Sequence, residues 1–131
     1  MNFVSIRVIT ADAKRLVSFY ETITGLSATW GTNDFAEIAT PGCTLAIGSA
    51  RAVPADAVRP ADNHSVIVEF RVRDVDEEFR KLAAVIDTVV QEPMTMPWGN
   101  RSLLFRDPDG NLVNLFAPVT ETAIERYEKV T

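Results

Sequence analysis

The chain is poor in the residue types that most often carry chemistry. Among 131 residues there is one cysteine, Cys43, and one histidine, His64. A single cysteine excludes an internal disulfide and fits a reducing compartment. No apolar run approaches the length of a membrane-spanning helix, and the first residues lack a signal-peptide core. We therefore predict a cytoplasmic protein.

Several catalytic and binding motifs are also missing. The sequence has no Gly-x-Ser-x-Gly nucleophile motif, no glycine-rich phosphate loop and no Cys-x-x-Cys pair. Acidic residues outnumber basic ones by 18 to 13, which gives a net charge of −5. This balance argues against nucleic acid and anionic membranes as partners, because both require clustered Lys and Arg. It would suit a cationic ligand, although solubility alone explains it.

What is present is an ordinary globular composition, with 47% hydrophobic and 24% charged residues. A chain of this length is predicted to form a single domain, 1–131, with a core of its own. Residues 50–64 contain two prolines and no periodicity, and they indicate a linker. The boundaries that follow are module one at 1–49, the linker at 50–64, module two at 65–118 and a C-terminal helix at 119–131.

The two modules repeat one pattern. Residues 3–10 alternate with period two, and Asp12 is placed to cap a helix that ends at Gly25. Residues 65–72 alternate in the same way before Asp74, 62 positions after Asp12. In both strands one face is purely apolar and is expected to pack on the helix. The remaining strands are predicted at 26–30, 35–39, 43–47 and 88–91 and in the final hairpin.

The final hairpin is the most informative stretch. Asp107-Pro108-Asp109-Gly110-Asn111 predicts a tight turn between two short apolar strands. Pro97-Trp98-Gly99 precedes it and places a large aromatic residue on a loop. Trp98 is interpreted either as a stacking residue over the sheet or as a core residue, and the residues alone do not decide between the two. Cys43 and Tyr20 are interpreted as core residues.

These motifs resemble the glyoxalase/bleomycin-resistance/dioxygenase superfamily, also called the vicinal oxygen chelate superfamily. The resemblance rests on residues 12–20 with Gly25, and on the Asp107–Asn111 turn. It implies an α+β fold in which two βαβββ modules form a curled mixed sheet around a cleft, usually in a homodimer. The loop at Trp98 is most similar to the metal-free bleomycin-resistance branch.

Metal-dependent members of this superfamily place ligands on the first and last strand of each module. Carried over by resemblance, those positions fall on Ser5, Ala46, Ile67 and Asn114. Ser, Ala and Ile do not supply the nitrogen or carboxylate ligands that divalent metals require. His64 is expected at the surface, and Glu69 with Glu37 is a weak alternative pair, since a carboxylate near Arg7 or Arg71 more often forms an ion pair.

We therefore predict a metal-free protein without a cofactor that binds a small molecule, such as a planar or aromatic antibiotic. The alternative is a glyoxalase-like lyase, isomerase or dioxygenase with an atypical site, in which Glu69 or Glu37 acts as a base. A homodimer is expected, with neither nucleic acid nor membrane as a partner. The predicted ligand-binding residues are Ser5, Arg7, Ile67, Glu69, Arg71, Trp98 and Asn114.

Overall fold

A computed structural model of the chain describes residues 1–54, 56–61 and 63–128. The chain divides into two compact units, Met1–Asp62 and Asn63–Thr131. The elements of unit one are β1 (Ser5–Ile9), α1 (Ala13–Thr24), β2 (Thr29–Thr32), β3 (Phe35–Ala39), β4 (Thr44–Gly48) and a short 3-10 helix (Ala50–Ala52). The elements of unit two are β5 (Ile67–Arg71), α2 (Val75–Leu82), β6 (Val89–Thr95), β7 (Asn100–Arg106), β8 (Leu112–Pro118) and α3 (Glu121–Glu128).

Each unit contains a four-stranded mixed sheet with the same strand order. The order is β1-β4-β3-β2 in unit one and β5-β8-β7-β6 in unit two. In each sheet the first strand runs parallel to the last, and the other neighbours are antiparallel. The predicted α+β class with two βαβββ modules is confirmed. The single-domain boundaries stay a prediction, and residues 55, 62 and 129–131 of the predicted linker and C-terminal helix lie outside the described residues.

Helices α1 and α2 begin with the same cap. The Asp12 carboxylate accepts a hydrogen bond from the Arg15 N–H at 3.1 Å, and the Asp74 carboxylate accepts one from the Glu77 N–H at 3.1 Å. A cap of this kind contributes about 1 kcal/mol to helix stability. The first helix ends at Gly25, where φ is 70°. The repeat of Asp12 and Asp74 in the sequence therefore corresponds to the same helix cap in both units.

Each of the helices α1 and α2 packs on part of its own sheet. In unit one, α1 packs mainly on β3 and β4, and in unit two α2 packs on β6, β7 and β8. The edge strand β1 is therefore less covered than predicted, and the exposed fractions of Val4 and Ile6 are 65% and 48%. The prediction that the apolar face of the first strand packs on the helix is therefore wrong for Val4 and Ile6 in unit one, and also for Val66 in unit two, which is 38% exposed. Tyr20 is fully buried, as predicted.

Two further predictions about unit one are wrong. The second strand spans 29–32 instead of 26–30, because the backbone before it is tied to α1. The Leu26 N–H donates to Thr24 Oγ1 at 3.1 Å, and the Ala28 N–H donates to Glu21 Oε2 at 2.8 Å. Cys43 is exposed instead of buried, since it lies at the turn before β4, where its backbone pairs with Thr40.

The turn between β7 and β8 is organised by one buried carboxylate. Asp107 Oδ1 accepts the N–H groups of Asp109 and Asn111, each at 2.9 Å, and Oδ2 accepts the Asn111 side-chain amide at 2.9 Å. Asp107 and Asn111 are both buried. Since the turn closes the hairpin, these bonds set the pairing of Arg106 with Leu112 and of every residue pair behind it.

An ion pair joins α2 to its sheet. Arg101 donates from Nε to Asp76 Oδ2 and from Nη2 to Asp76 Oδ1, both at 2.9 Å. The hydrogen bonds from Arg101 hold the pKa of Asp76 below its ordinary value of 3.8. The pair fastens the first turn of α2 to β7.

No described helix is both long enough and apolar enough to cross a membrane.

Replacing Asp107 by alanine should lower the free energy of unfolding by about 1–3 kcal/mol, because buried donors in the turn lose their acceptor. The measurement is urea unfolding followed by circular dichroism. Asp107→Asn keeps one oxygen acceptor and should recover part of the loss. The exposed Asp87→Ala serves as the control and should change the free energy by less than about 0.5 kcal/mol. Equal effects of Asp107→Ala and Asp87→Ala would show that the turn does not depend on this carboxylate.

Replacing Asp76 by asparagine should destabilise the chain at neutral pH and have a diminishing effect in acid. Because the pKa of Asp76 is lowered by folding, its contribution is present above its unfolded pKa and is lost as the pH falls through its folded pKa. The difference between wild type and Asp76→Asn in urea unfolding should be constant above about pH 5 and shrink below about pH 4. In an Arg101→Gln background the pH-dependent part should vanish. A difference that stays constant through the acid range would contradict this account.

Candidate functional site

The face of each sheet opposite α1 in unit one, or opposite α2 in unit two, is here called its open face. In unit two, α2 covers the face with Leu103, Phe105, Val113 and Leu115, all of which are buried. The alternate residues of the same strands point to the opposite side. Among them, Glu69 on β5 lies directly beside Asn114 on β8, and Asn114 lies beside Leu104 on β7.

A row of polar side chains crosses the open face of unit two. Asn114 Nδ2 donates to Glu69 Oε2 at 2.7 Å, and Ser102 Oγ donates to Asn114 Oδ1 at 2.6 Å. Gln91 Nε2 donates to the Ser102 backbone carbonyl at 3.3 Å. The two bonds of Asn114 fix the direction of its amide. Glu69 is exposed, so the row presents a held carboxylate to solvent.

An aromatic cluster lies at one end of this row. The Tyr127 ring of α3 lies 5.4 Å from the Phe116 ring, and the guanidinium carbon of Arg71 lies 5.6 Å from the Tyr127 ring centre. Asn100 Nδ2 donates to the Tyr127 hydroxyl at 3.4 Å. Phe116 is the neighbour of Arg71 across β5 and β8, so α3 covers this end of the open face.

The open face of unit one carries a different arrangement. The guanidinium carbon of Arg7 lies 4.7 Å from the centre of the Phe35 ring. To reach that ring the Arg7 side chain passes Gly48, whose added Cβ would lie 3.8 Å from Arg7 Cδ and 3.1 Å from the Asp34 carbonyl oxygen. Glu37 is exposed on the same face, beside Ala46. Arg7 therefore stacks on an aromatic ring at this face.

A short ionic cluster lies next to this face. Asp34 Oδ1 accepts from Ser49 Oγ at 2.8 Å and from Arg51 Nε at 3.1 Å. The Arg51 hydrogen bond is the largest cause that lowers the pKa of Asp34, and the Ser49 bond adds to it. Because the Arg51 side chain is mostly exposed, this pair contributes little to stability. It anchors the 3-10 helix to the loop before β3.

Trp98 lies at the tip of the turn between β6 and β7. It is 55% exposed, so the interpretation as a core residue does not hold within unit two. The turn closes through the Gly99 N–H, which donates to the Met96 carbonyl at 2.9 Å. The Gly99 carbonyl accepts the N–H groups of Val119 and Thr120, so the turn adjoins the start of α3.

The structure separates the predicted ligand-binding residues into two groups. It brings Ile67, Glu69, Arg71 and Asn114 to the open face of unit two, whereas Ser5 and Arg7 lie on the open face of unit one. The expected ion pairing of Glu69 with Arg71 is wrong, whereas the pairing of Glu69 with Arg7, which belongs to the other unit, stays a prediction. Glu69 accepts from Asn114, Arg7 stacks on Phe35 and Arg71 on Tyr127.

Five residues of the unit two site were missed by the sequence reasoning. One is Phe116, which follows Asn114 by two positions on β8 and therefore lies on the same face. Asn100 and Ser102 alternate along β7 with Leu103 and Phe105, which face α2. If the alternating pattern of this strand is extended back to residue 100, it predicts that both polar side chains lie on the open face. Tyr127 follows Ala123 by four positions, which is the spacing of one helical face. Gln91 carries no signal in the sequence, because the strand β6 is irregular.

The residues present do not fit the divalent metal that the superfamily resemblance implies. Directly opposite Ala46 in the sheet is Arg7, and directly opposite Asn114 is Glu69. One carboxylate with one amide is too few donors for a transition metal, and a guanidinium repels a cation. Among the described residues, no three His, Cys, Asp or Glu side chains lie together in a group that would hold a metal.

A protein-family model described as the Glyoxalase/Bleomycin resistance protein/Dioxygenase superfamily matches residues 2–115. The chain belongs to this superfamily. The matched range includes both repeats and ends within β8, so α3 lies beyond it. Among curated proteins, none matches the chain.

Solved structures agree with this assignment. A glyoxalase/bleomycin resistance protein/dioxygenase from Nocardioides is 26% identical with a TM-score of 0.73, and the match covers 92% of this chain and 85% of that chain. A superfamily member from Sphaerobacter thermophilus DSM 20745 is 25% identical with a TM-score of 0.70, over 89% and 97% of the two chains. A lactoylglutathione lyase from Agrobacterium tumefaciens, 22% identical with a TM-score of 0.69 over 88% and 92%, shows the fold alone.

Proposed function

We propose that this superfamily member binds a small planar or aromatic molecule without a metal, in the manner of a sequestering protein for a compound such as an antibiotic. The observation that carries the proposal is the pair of residues that face each other across the two parallel strands of each sheet, on its open face. Arg7 faces Ala46 in unit one, and Glu69 faces Asn114 in unit two. These side chains offer charge and hydrogen bonds to an organic molecule and lack the ligands for a metal ion.

Aromatic residues beside the polar groups support a planar ligand. The open face of unit one carries Phe35, the open face of unit two carries Phe116, and Trp98 is exposed at the turn beside α3. An aromatic partner adds about 0.5–1.5 kcal/mol beyond the area that it buries. A carboxylate such as Glu69, held by Asn114, accepts hydrogen bonds from a ligand N–H group.

The enzymatic alternative has less support from the site. A carboxylate base in this role is typically buried, so that its pKa is raised toward neutrality. Glu69 and Glu37 are both exposed.

The homodimer stays a proposal; it is supported by the exposed apolar side chains of Phe3, Val4 and Ile6 along the edge of unit one, since contiguous apolar surface favours association.

The first test is metal content. The wild type is incubated with excess zinc, nickel, manganese or iron(II) and then dialysed exhaustively. It should retain well under one metal ion per chain, measured by inductively coupled plasma mass spectrometry. Asn114→Glu, which adds a second carboxylate beside Glu69, serves as the matched control and should retain more. A stoichiometric ion in the wild type that is lost on Asn114→Ala would overturn the metal-free proposal.

The second test concerns Trp98. If the ligand stacks on this residue, Trp98→Ala should weaken the binding of a planar aromatic compound by about 1–3 kcal/mol, the scale of losing an aromatic anchor. The measurement is quenching of tryptophan fluorescence across a panel of aromatic compounds, in a Trp30→Phe background that leaves Trp98 as the reporter. For the variant, calorimetry replaces the fluorescence signal.

Trp98→Phe keeps a ring at the turn and should retain most of the affinity. Unchanged binding by Trp98→Ala would exclude the stacking role. A panel to which the Trp30→Phe protein does not respond would count against the proposed function itself.

A further inference from the structure

Tyr127 makes contacts on the open face of unit two that resemble those of a bound ligand. Its ring packs at 5.4 Å from Phe116, the Arg71 guanidinium lies 5.6 Å from its centre, and its hydroxyl accepts a hydrogen bond from Asn100. Ring stacking, a cation over the ring and a polar contact at its edge are the interactions by which proteins hold planar molecules.

The Asn100 side chain points to the chemistry of that molecule. Asn100 is only 6% exposed, and its Oδ1 is buried without a hydrogen-bond partner among the described residues. A carboxamide has a donor end and an acceptor end. Whichever way the amide faces, the single oxygen of Tyr127 pairs with only one of the two ends. A buried amide end without a partner is unfavourable, so the site favours a group that satisfies both.

A planar ring with an adjacent donor and acceptor on its edge satisfies both ends of the amide. Asparagine recognises the edge of adenine by this pair of bonds. A ring of this kind would keep the contacts that Tyr127 makes with Phe116 and Arg71. It would add the hydrogen bond to Asn100 that a phenol does not make.

The helix that carries Tyr127 is anchored at its first turn by contacts that do not involve Tyr127. That turn is fixed where the Gly99 carbonyl accepts Val119 and Thr120, and where Ala123 packs against Gly99, whose added Cβ would come within 2.9 Å of Ala123 Cβ. Ala123 is the buried residue of α3, and the described helix has eight residues. Helices shorter than about 12 residues are marginal without packing, so the second turn depends on the contacts of Tyr127.

We propose that Asn100, Phe116 and Arg71 form a subsite for a planar ring whose edge carries an adjacent hydrogen-bond donor and acceptor, and that Tyr127 fills this subsite until such a ligand displaces the second turn of α3. The inference rests on the proposed function, because it names the class of ligand for the same open face. It also assigns α3 the role of an intramolecular competitor.

The test removes the Tyr127 side chain and measures whether small ring compounds bind in its place. The probes are p-cresol, which is the side chain of tyrosine, and 2-quinolone, which has a donor beside an acceptor; quinoline is the matched ring with an acceptor alone. By calorimetry, Tyr127→Ala should bind p-cresol and 2-quinolone roughly tenfold more tightly than the wild type, because the competing state is gone. It should also bind 2-quinolone roughly tenfold more tightly than quinoline, since one further hydrogen bond is made.

Three variants complete the design. Glu125→Ala changes an exposed residue of the same helix and should behave as the wild type. Tyr127→Ala combined with Asn100→Leu should bind both bicyclic probes with equal affinity. Tyr127→Leu keeps apolar packing on Phe116, so it replaces Tyr127→Ala if that variant does not fold, and it should show the same preference for 2-quinolone over quinoline. Nitrogen-15 NMR of the amides of Asn100 and Phe116 locates the binding.

Each outcome decides the inference. Equal affinity of wild type and Tyr127→Ala for p-cresol, no binding by either, or no preference for 2-quinolone would overturn it. If the wild type binds compounds of the aromatic panel while these probes do not distinguish the variants, the proposed function stands and the subsite is wrong. If Tyr127→Ala shows the expected preference while the panel yields no ligand for wild type, the subsite stands and the proposed function fails.

Discussion

The carboxylate of Asp107 sets the register of β7 and β8, the two strands that form the middle of the open face of unit two. Its hydrogen bonds close the turn between β7 and β8, and the turn fixes which residues of the two strands face each other. A slip by one residue would turn each side chain to the opposite side of the sheet. Asn114 would then leave Glu69 and enter the core under α2. The polar row and the aromatic cluster thus depend on a buried residue of the turn.

The covering of the sheets explains the distribution of apolar surface. A single helix is too narrow to cover four strands. Helix α1 packs on β3 and β4, and α2 packs on β6, β7 and β8. The parallel edge strand β1 is left with exposed apolar side chains, of which Ile6 is an example. The edge is therefore available for contacts beyond those within the unit.

The features that the sequence predicted are those that depend on residues close in the chain. The caps at Asp12 and Asp74, the turn at Asp107 and the alternation of the strands need only local spacing. The features that it did not predict depend on which distant segments become neighbours. Glu69 and Asn114 are 45 positions apart, and Tyr127 reaches Asn100 from 27 positions away. The position of β2 was missed for a different reason, because Glu21 binds a backbone group seven residues on and the apolar pattern of the strand does not reveal this contact.

The repeat is kept where folding requires it and has diverged where it faces solvent. Asp12 and Asp74 stand at equivalent positions and make the same cap, because each helix has the same unpaired N–H groups at its start. Arg7 and Glu69 are equally equivalent, 62 positions apart, yet they carry opposite charges. Nothing in the sheet requires a particular charge at an exposed position beside the last strand. The two open faces therefore present opposite charges, a guanidinium stacked on Phe35 in unit one and a carboxylate bound by Asn114 in unit two.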